Sequence, residues 1–154
     1  MSDWIKQRAE EIRNAEKQKK LEAERRATAA SDLKTQILPY WADFVDSVKQ
    51  SVAEFNSEFP DASRRIDVFE RPDSDTFTVR RTAFPSVTVK AQLNNAATTV
   101  QYTISRVPRK GMNTVEKQDS FSYLVKDDKP CYANPLFQSH EDVTKVLLDA
   151  FFEF

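Results

Sequence analysis

Between Arg65 and Lys126 the apolar residues fall at alternate positions, in five short runs that are separated by turn residues. Alternation with a period of two is typical of β-strands that bury one face. The connections are too short for the roughly twelve or more residues of a crossover helix, so neighbouring strands are expected to run antiparallel. The pattern therefore predicts a β-meander of five strands, with a short sixth strand near Cys131 and Tyr132.

Two helical patterns flank the strands. From Leu33 to Phe59 the apolar residues recur every three or four positions, which predicts a helix over about 31–59. Pro39 lies inside this pattern and lacks an amide hydrogen, so the helix is expected to begin near Pro39 or to be kinked there. Ser139 to Asp142 form a capping-box pattern ahead of an apolar stripe, which predicts a closing helix over about 140–152. The predicted fold class is α+β, with both helices packed on one face of an antiparallel meander.

Residues 1–30 have a different character. They contain no glycine or proline, and alanine, glutamate, lysine, arginine and glutamine dominate, which predicts a long polar helix over about 3–29. Heptad spacing from Ile5 reaches Ala9 and Ile12 but then Glu16 and Lys19, so the apolar seam is too short for a strong coiled coil. The chain is therefore divided into a charged helical arm, residues 1–30, and a single α+β domain, residues 31–154.

The chain of 154 residues contains one glycine, one histidine and one cysteine. Most catalytic and cofactor motifs depend on these residue types, because glycine lets the backbone approach phosphate, histidine titrates near neutrality, and cysteine acts as a nucleophile or ligand. His140 has a structural explanation as a polar residue at the start of the closing helix. Cys131 has one as a small buried hydrophobe in an aromatic core. We therefore predict no catalytic residue and no cofactor, and an enzyme is the least expected class.

Two acidic clusters, Asp127-Asp128 and Asp73-Ser74-Asp75, are candidates for a divalent-cation site. Neither has the ligand spacing or the glycine of a calcium loop. Aspartate and serine are also common in tight turns, where their side chains bond to the nearby backbone. We interpret both clusters as hairpin turns and predict no metal site.

The first turns of the arm carry a short apolar stripe on a helix that is otherwise polar. Such a stripe is typical of a segment that docks into a groove on another protein. The leading hypothesis is a non-enzymatic protein-interaction or accessory module, whose arm binds a protein partner or self-associates through Trp4, Ile5, Arg8 and Ile12. Packing of the arm against its own domain is the structural alternative.

Two further functions are predicted as alternatives. Residues 64–117 carry 10 basic and 5 acidic side chains, and this excess predicts binding of an anionic ligand or nucleic acid through Arg80, Lys90, Arg106, Arg109 and Lys110. The polar face of the predicted sheet has no aromatic residue on which a base would stack, and this argues against a single-strand reader. The third hypothesis is a small apolar ligand held between sheet and helix by Trp41, Phe44, Phe77, Tyr102, Phe121 and Tyr123.

Targeting signals are not evident. No apolar run approaches the roughly 20 residues of a transmembrane helix, and the N-terminus lacks the apolar stretch of a secretory signal. A single cysteine cannot form a disulfide within the chain. We therefore expect no transmembrane segment and a cytoplasmic location.

Overall fold

The computed structural model describes residues 2–71 and 75–152. Its order of elements confirms the α+β prediction: α1 (Asp3–Glu58), β1 (Asp67–Glu70), β2 (Thr76–Arg81), β3 (Ser86–Leu93), β4 (Thr99–Val107), β5 (Val115–Lys126), β6 (Lys129–Tyr132) and α2 (His140–Leu148). Single 3-10 turns follow each helix, at Ala62–Arg64 and Asp149–Phe152.

The six strands form one antiparallel sheet in chain order, which confirms both the meander and the sixth strand. The register sets Val79 opposite Val89 and Val89 opposite Ile104, so the apolar positions of β2, β3 and β4 share one face. β5 is long enough to serve two partners, because residues 115–122 pair with β4 and residues 123–126 pair with β6. Its first half is exposed.

The N-terminal helix is one continuous element of 56 residues that runs from the arm into the core. Of the two alternatives predicted at Pro39, a helix that begins there is wrong, because α1 continues through this residue. Pro39 is exposed, so the Thr35 carbonyl that loses its helical donor lies on the solvent side, where water can bond to it. The helix ends at Glu58, just before Phe59-Pro60, as the sequence predicted.

The core lies between the sheet and the second half of α1, and α2 closes it. The central side chains are fully buried and include Phe44, Val48, Phe77, Val89 and Leu147. The end of α1 is also joined to the chain that enters β1. The Asn56 amide donates to the Ile66 carbonyl at 2.8 Å and accepts from the Ile66 amide at 3.0 Å. These contacts fix the second half of α1 on the sheet.

The turn between β5 and β6 explains one of the two acidic clusters. Asp127 and Asp128 have φ angles of 52° and 60° and connect the paired residues Lys126 and Lys129. Two consecutive positive φ angles define a type I′ hairpin turn, in which aspartate is tolerated. The hairpin interpretation is confirmed here, whereas residues 73 and 74 of the other cluster lie outside the described residues.

Candidate functional site

The arm projects from the domain without contacting it. All of its described residues are exposed except Ala9, which is half-buried, and packing against the core begins only at Leu33. At 1.5 Å per residue, a helix of thirty residues extends about 45 Å. Packing of the arm on its own domain is therefore not what the structure shows.

The structure brings the four predicted partner-binding residues together at the tip of the arm. Trp4, Ile5 and Ile12 are 68%, 42% and 55% exposed. Spacings of three, four and seven residues place them on one side of the helix, with Arg8 among them. Arg8 donates to Glu11 at 3.1 Å in an exposed ion pair, and pairs of this kind contribute little to stability. The tip is thus an accessible surface of apolar side chains around one guanidinium group.

The apolar tip lies on the side of α1 that builds the core further along the same helix. Ile12 and Val48 are separated by about ten full turns, so their side chains point in nearly the same direction. Val48 is fully buried against the domain, whereas Ile12 has nothing over it. Leu21 is 41% exposed and lies half a turn away from Ile12 in projection, on the opposite side.

Of the two basic residues on the outer sheet face, Arg80 shares its cross-strand row with carboxylates. Arg80 and Lys90 are exposed on neighbouring strands. Residues that face each other across paired strands point to the same side. Across the strands, Arg80 belongs to a row of residues that face one another in the order Asp67, Arg80, Thr88, Ser105 and Glu116. Each end of this row carries a carboxylate. This row and the row through Lys90 together carry no net positive charge.

The other three predicted anion-binding residues lie elsewhere. Arg106 pairs with Val87 and so points to the core face, where it is half-buried. Arg109 and Lys110 are exposed in the connection between β4 and β5, where Gly111 adopts a φ of 85°. The five residues are therefore distributed over two faces and one turn.

The six aromatic residues predicted to line a ligand cavity pack directly against one another. Ring centroids are 5.5 Å apart for Trp41 and Phe77, 5.7 Å for Phe44 and Phe121, and 6.0 Å for Tyr102 and Phe121. Such separations are typical of aromatic contacts in a close-packed interior.

His140 belongs to a cluster of tyrosines that the sequence did not reveal. The Tyr132 hydroxyl lies 2.6 Å from His140 Nδ1, and the Tyr40 ring lies 4.3 Å from the imidazole ring. Burial lowers the pKa of His140, and the carboxylate of Asp43 partly opposes this. Burial also raises the pKa of Tyr132 and of Tyr123 well above the ordinary tyrosine value. The cluster is therefore an uncharged part of the core at neutral pH, with one hydrogen bond between Tyr132 and His140.

The capping box at the start of α2 is confirmed and positions this histidine. The Asp142 amide donates to Ser139 Oγ at 3.4 Å, and the Ser139 amide donates to the Asp142 carboxylate at 3.2 Å. Tyr40, Tyr123 and Tyr132 come from α1, β5 and β6, so no spacing along the chain brings them together. Cys131 is half-buried and lies opposite Leu124.

The burial of His140 makes stability depend on pH. Because its pKa is lowered in the folded protein, the unfolded chain binds more protons as the pH falls below the ordinary value of 6.5. As the pH falls below about 6.5, the free energy of unfolding is expected to decrease, and to decrease more steeply than it does in the His140→Gln variant. Urea unfolding of both proteins at several pH values between about 5 and 7.5 measures the difference. Equal slopes for the two proteins would contradict the expectation.

A second open surface lies between the C-terminal end of α1 and α2, and we call it the helix groove. It has a volume of about 790 Å³. Phe55 and Leu148 are buried at its base, while Phe59 and Phe152 are 39% and 48% exposed along its walls. The Phe55 ring centroid lies 5.0 Å from that of Phe59 and 5.4 Å from that of Phe152. The sequence did not predict this groove, although a phenylalanine at the end of the first helical stripe, Phe59, and one just past the second, Phe152, were a signal for it.

The charged residues that line the helix groove are mainly acidic. They comprise three carboxylates and one ammonium group, from Glu54, Glu58, Glu141 and Lys145. Lys145 pairs with Glu141 at 3.6 Å, and both side chains are more than two-thirds exposed. The groove thus combines an apolar base with net negative charge.

Within residues 2–71 and 75–152, no group of three or more histidine, cysteine, aspartate or glutamate side chains is arranged to hold a metal ion. None of the helices in this part of the chain combines the length and apolar character needed to cross a membrane. The two surfaces that stand out are therefore the arm tip and the helix groove.

Fold and surface together define an α+β domain with a projecting helical arm. Comparisons of the chain with protein-family models, with curated proteins and with solved structures return no match.

Proposed function

We propose that this chain is a non-enzymatic interaction module, which captures a protein partner or a second copy of itself through the tip of its arm. The observation that carries the proposal is the exposure of Trp4, Ile5 and Ile12 on one side of a helix that leaves the domain. The absence of any disulfide-forming cysteine pair is in keeping with action in the cytoplasm.

The physical support is the energy that the tip would gain on docking. Helices in proteins derive most of their stability from packing of an apolar face. The arm makes no such packing with the residues of the domain that the structure describes. Full burial of one large apolar side chain contributes roughly 1.5–3 kcal/mol. Three such side chains beside one arginine resemble the composition of binding hot spots, in which tryptophan and arginine are enriched.

The test uses the full chain with single substitutions on opposite sides of the arm. Ile12→Ser is expected to weaken self-association or capture of a partner by about tenfold or more, since it removes apolar contact area at the tip. Leu21→Ser removes a comparable side chain from the opposite side and should leave binding nearly unchanged. Mass in solution and the set of co-purifying proteins measure the effect.

Circular dichroism of both variants should match that of the unsubstituted chain, because neither residue contacts the domain. If Ile12→Ser and Leu21→Ser bind as the unsubstituted chain does, the arm tip is not the binding surface. That result would refute the proposal.

A further inference from the structure

We infer that the open edge of β5 pairs with the same edge of a second copy of this chain, in an antiparallel register centred on Gln118. We call the residues concerned, 116–120, the β5 edge. The inference goes beyond the proposed function, because it uses a different surface and does not involve the arm tip. It names a second copy of the chain as the partner and specifies which residues face each other.

The β5 edge lacks a neighbouring strand on one side in the part of the chain that the structure describes. β4 pairs with residues 115–122 on one side of β5, whereas β6 pairs only with residues 123–126 on the other. The side chains of residues 115–120 are all exposed. An uncovered strand edge presents a row of unpaired amides and carbonyls, which is a template for pairing with another chain.

One hydrogen bond just past the β5 edge identifies the backbone groups that point outward. The Ser122 carbonyl accepts from the Ala133 amide at 2.9 Å, on the side of β5 away from β4. Successive residues of a strand direct their amides and carbonyls to opposite sides. The outward groups of the β5 edge therefore belong to alternate residues counted back from Ser122, namely Ser120, Gln118 and Glu116. The Ser120 amide donates to the carboxylate of Asp119 at 2.8 Å rather than to a strand.

A register centred on Gln118 uses all of these outward groups. Gln118 then lies opposite Gln118 of the second copy, and Glu116 lies opposite Ser120. Residues that face each other at such positions exchange both of their backbone hydrogen bonds, so each outward amide and carbonyl of the β5 edge gains a partner. The paired stretch stops short of Ser122, where the chain that leaves β6 is already bonded.

Charge favours this register over its neighbours. Lys117 lies opposite Asp119 of the second copy, and by symmetry Asp119 lies opposite Lys117. Opposite charges that face each other across an antiparallel pair are stabilising, while like charges are destabilising. A register centred on residue 117 or 119 sets Lys117 opposite itself or Asp119 opposite itself, and parallel pairing in register also sets like beside like. The charges of the β5 edge thus disfavour other pairings while permitting this one.

Symmetry limits the assembly to two copies. The β5 edge of each copy is covered by that of the other, so the contact is isologous and closes as a dimer. The two sheets continue into one another, with their core faces on the same side. The edge that remains at each end is β1, which has 4 residues, and very short edge strands are one means by which proteins limit further pairing.

The first experiment measures the dimer dissociation constant of the full chain by sedimentation equilibrium. Gln118→Pro removes one outward amide and is expected to raise the constant by about 30-fold or more, because both copies lose a hydrogen bond at the axis. Proline is tolerated on edge strands where its nitrogen faces solvent, and circular dichroism verifies that the variant folds.

Gln118→Ala is the matched control, since it changes the same side chain but keeps the amide. It should change the dissociation constant by less than about threefold, within the range of surface substitutions. A dimer that the two substitutions weaken equally, or that neither weakens, does not use the backbone of the β5 edge and would overturn the inference.

Charge reversal tests the register with two variants that are then mixed. Lys117→Glu and Asp119→Lys each set like charges opposite one another and should weaken the dimer by about fivefold or more. An equimolar mixture restores opposite charges at both sites and should associate about as tightly as the unsubstituted chain. Because the two variants are separate molecules, this rescue is not an effect on folding. A mixture that associates no better than its components would overturn the inference.

Oxidation of single engineered cysteines, in a Cys131→Ser background, determines the direction of pairing. Gln118→Cys lies at the two-fold axis, where the opposed Cα atoms are about 5.5 Å apart, and should form a disulfide-linked dimer. Glu116→Cys should not link to itself, since its two copies lie about 13 Å apart along the paired strands. Parallel pairing in register would link the chain at both positions and would overturn the inference.

The outcomes separate this inference from the proposed function of the arm. Ile12→Ser should change the dissociation constant of the β5-edge dimer by less than about threefold. A chain that stays monomeric at concentrations on the order of hundreds of micromolar overturns the second copy as the partner of the β5 edge, and it leaves partner capture by the arm tip to its own test. A dimer that Ile12→Ser weakens and Gln118→Pro does not would overturn the inference and support the arm tip as the surface for self-association.

Discussion

Replacement of Phe44 by alanine is expected to lower the free energy of unfolding by about 3–5 kcal/mol, the range found for phenylalanine truncation in well-packed cores. Phe44 is fully buried, and its ring contacts those of Trp41, Phe77 and Phe121 at centroid distances between 5.7 and 5.9 Å. It therefore joins α1 to β2 and to β5. The variant should lose both the transfer energy of the ring and the contacts around the cavity that is left.

Urea unfolding monitored by circular dichroism measures this loss, since the helical signal reports α1 directly. Leu38→Ala is the matched control, because Leu38 lies on the same helix but is 41% exposed. We expect the control to cost less than about 1 kcal/mol. Similar losses for the two variants would mean that Phe44 is not the centre of the packing between helix and sheet.

Replacement of Arg81 by methionine is expected to lower the free energy of unfolding by about 2–4 kcal/mol, because it removes the donors of one buried and one part-buried carbonyl group. Arg81 is 1% exposed. Its Nε and Nη2 donate to the Pro85 carbonyl at 3.1 and 3.0 Å, and its Nη1 donates to the Phe151 carbonyl at 2.6 Å. Methionine fills much of the same volume but donates no hydrogen bond.

Arg80→Met is the matched control, since the neighbouring side chain lies on the outer face and is exposed. It should change stability by no more than about 0.5 kcal/mol. Equal effects of the two substitutions in urea unfolding would show that the hydrogen bonds of Arg81 add little. Because Phe151 precedes Phe152, Arg81 also holds one wall of the helix groove.

Arg81 shows what an alternating apolar pattern predicts about a side chain and what it does not predict. Its position places it in the same register as Phe77 and Val79, and the structure does bury it with them. The pattern predicts which face a side chain joins, because the period of a strand is local. It does not predict the two carbonyls that receive the guanidinium group, because one of them, at Phe151, lies 70 residues away.

At the boundary between the arm and the domain, the pattern predicts burial correctly but not the ends of the helix. The apolar period changes near Ser31, and this change correctly marks where burial begins, at Leu33. It does not mark the end of a helix, because α1 passes through both Ser31 and Pro39. A change in hydrophobic pattern reports what covers a helix, whereas continuity of the backbone depends on propensity and on where the proline faces.

The sequence by itself determined the α+β class, the antiparallel meander and the capped closing helix, because each follows from spacings of a few residues that act through local geometry. The apolar tip with Trp4, Ile5, Arg8 and Ile12 was visible for the same reason. Only the tertiary structure decided that the arm stands away from the domain, that the tyrosines gather around His140, and that a groove opens beside Phe59 and Phe152. These features depend on contacts between segments far apart in the chain, and such contacts leave no periodic trace in the order of the residues.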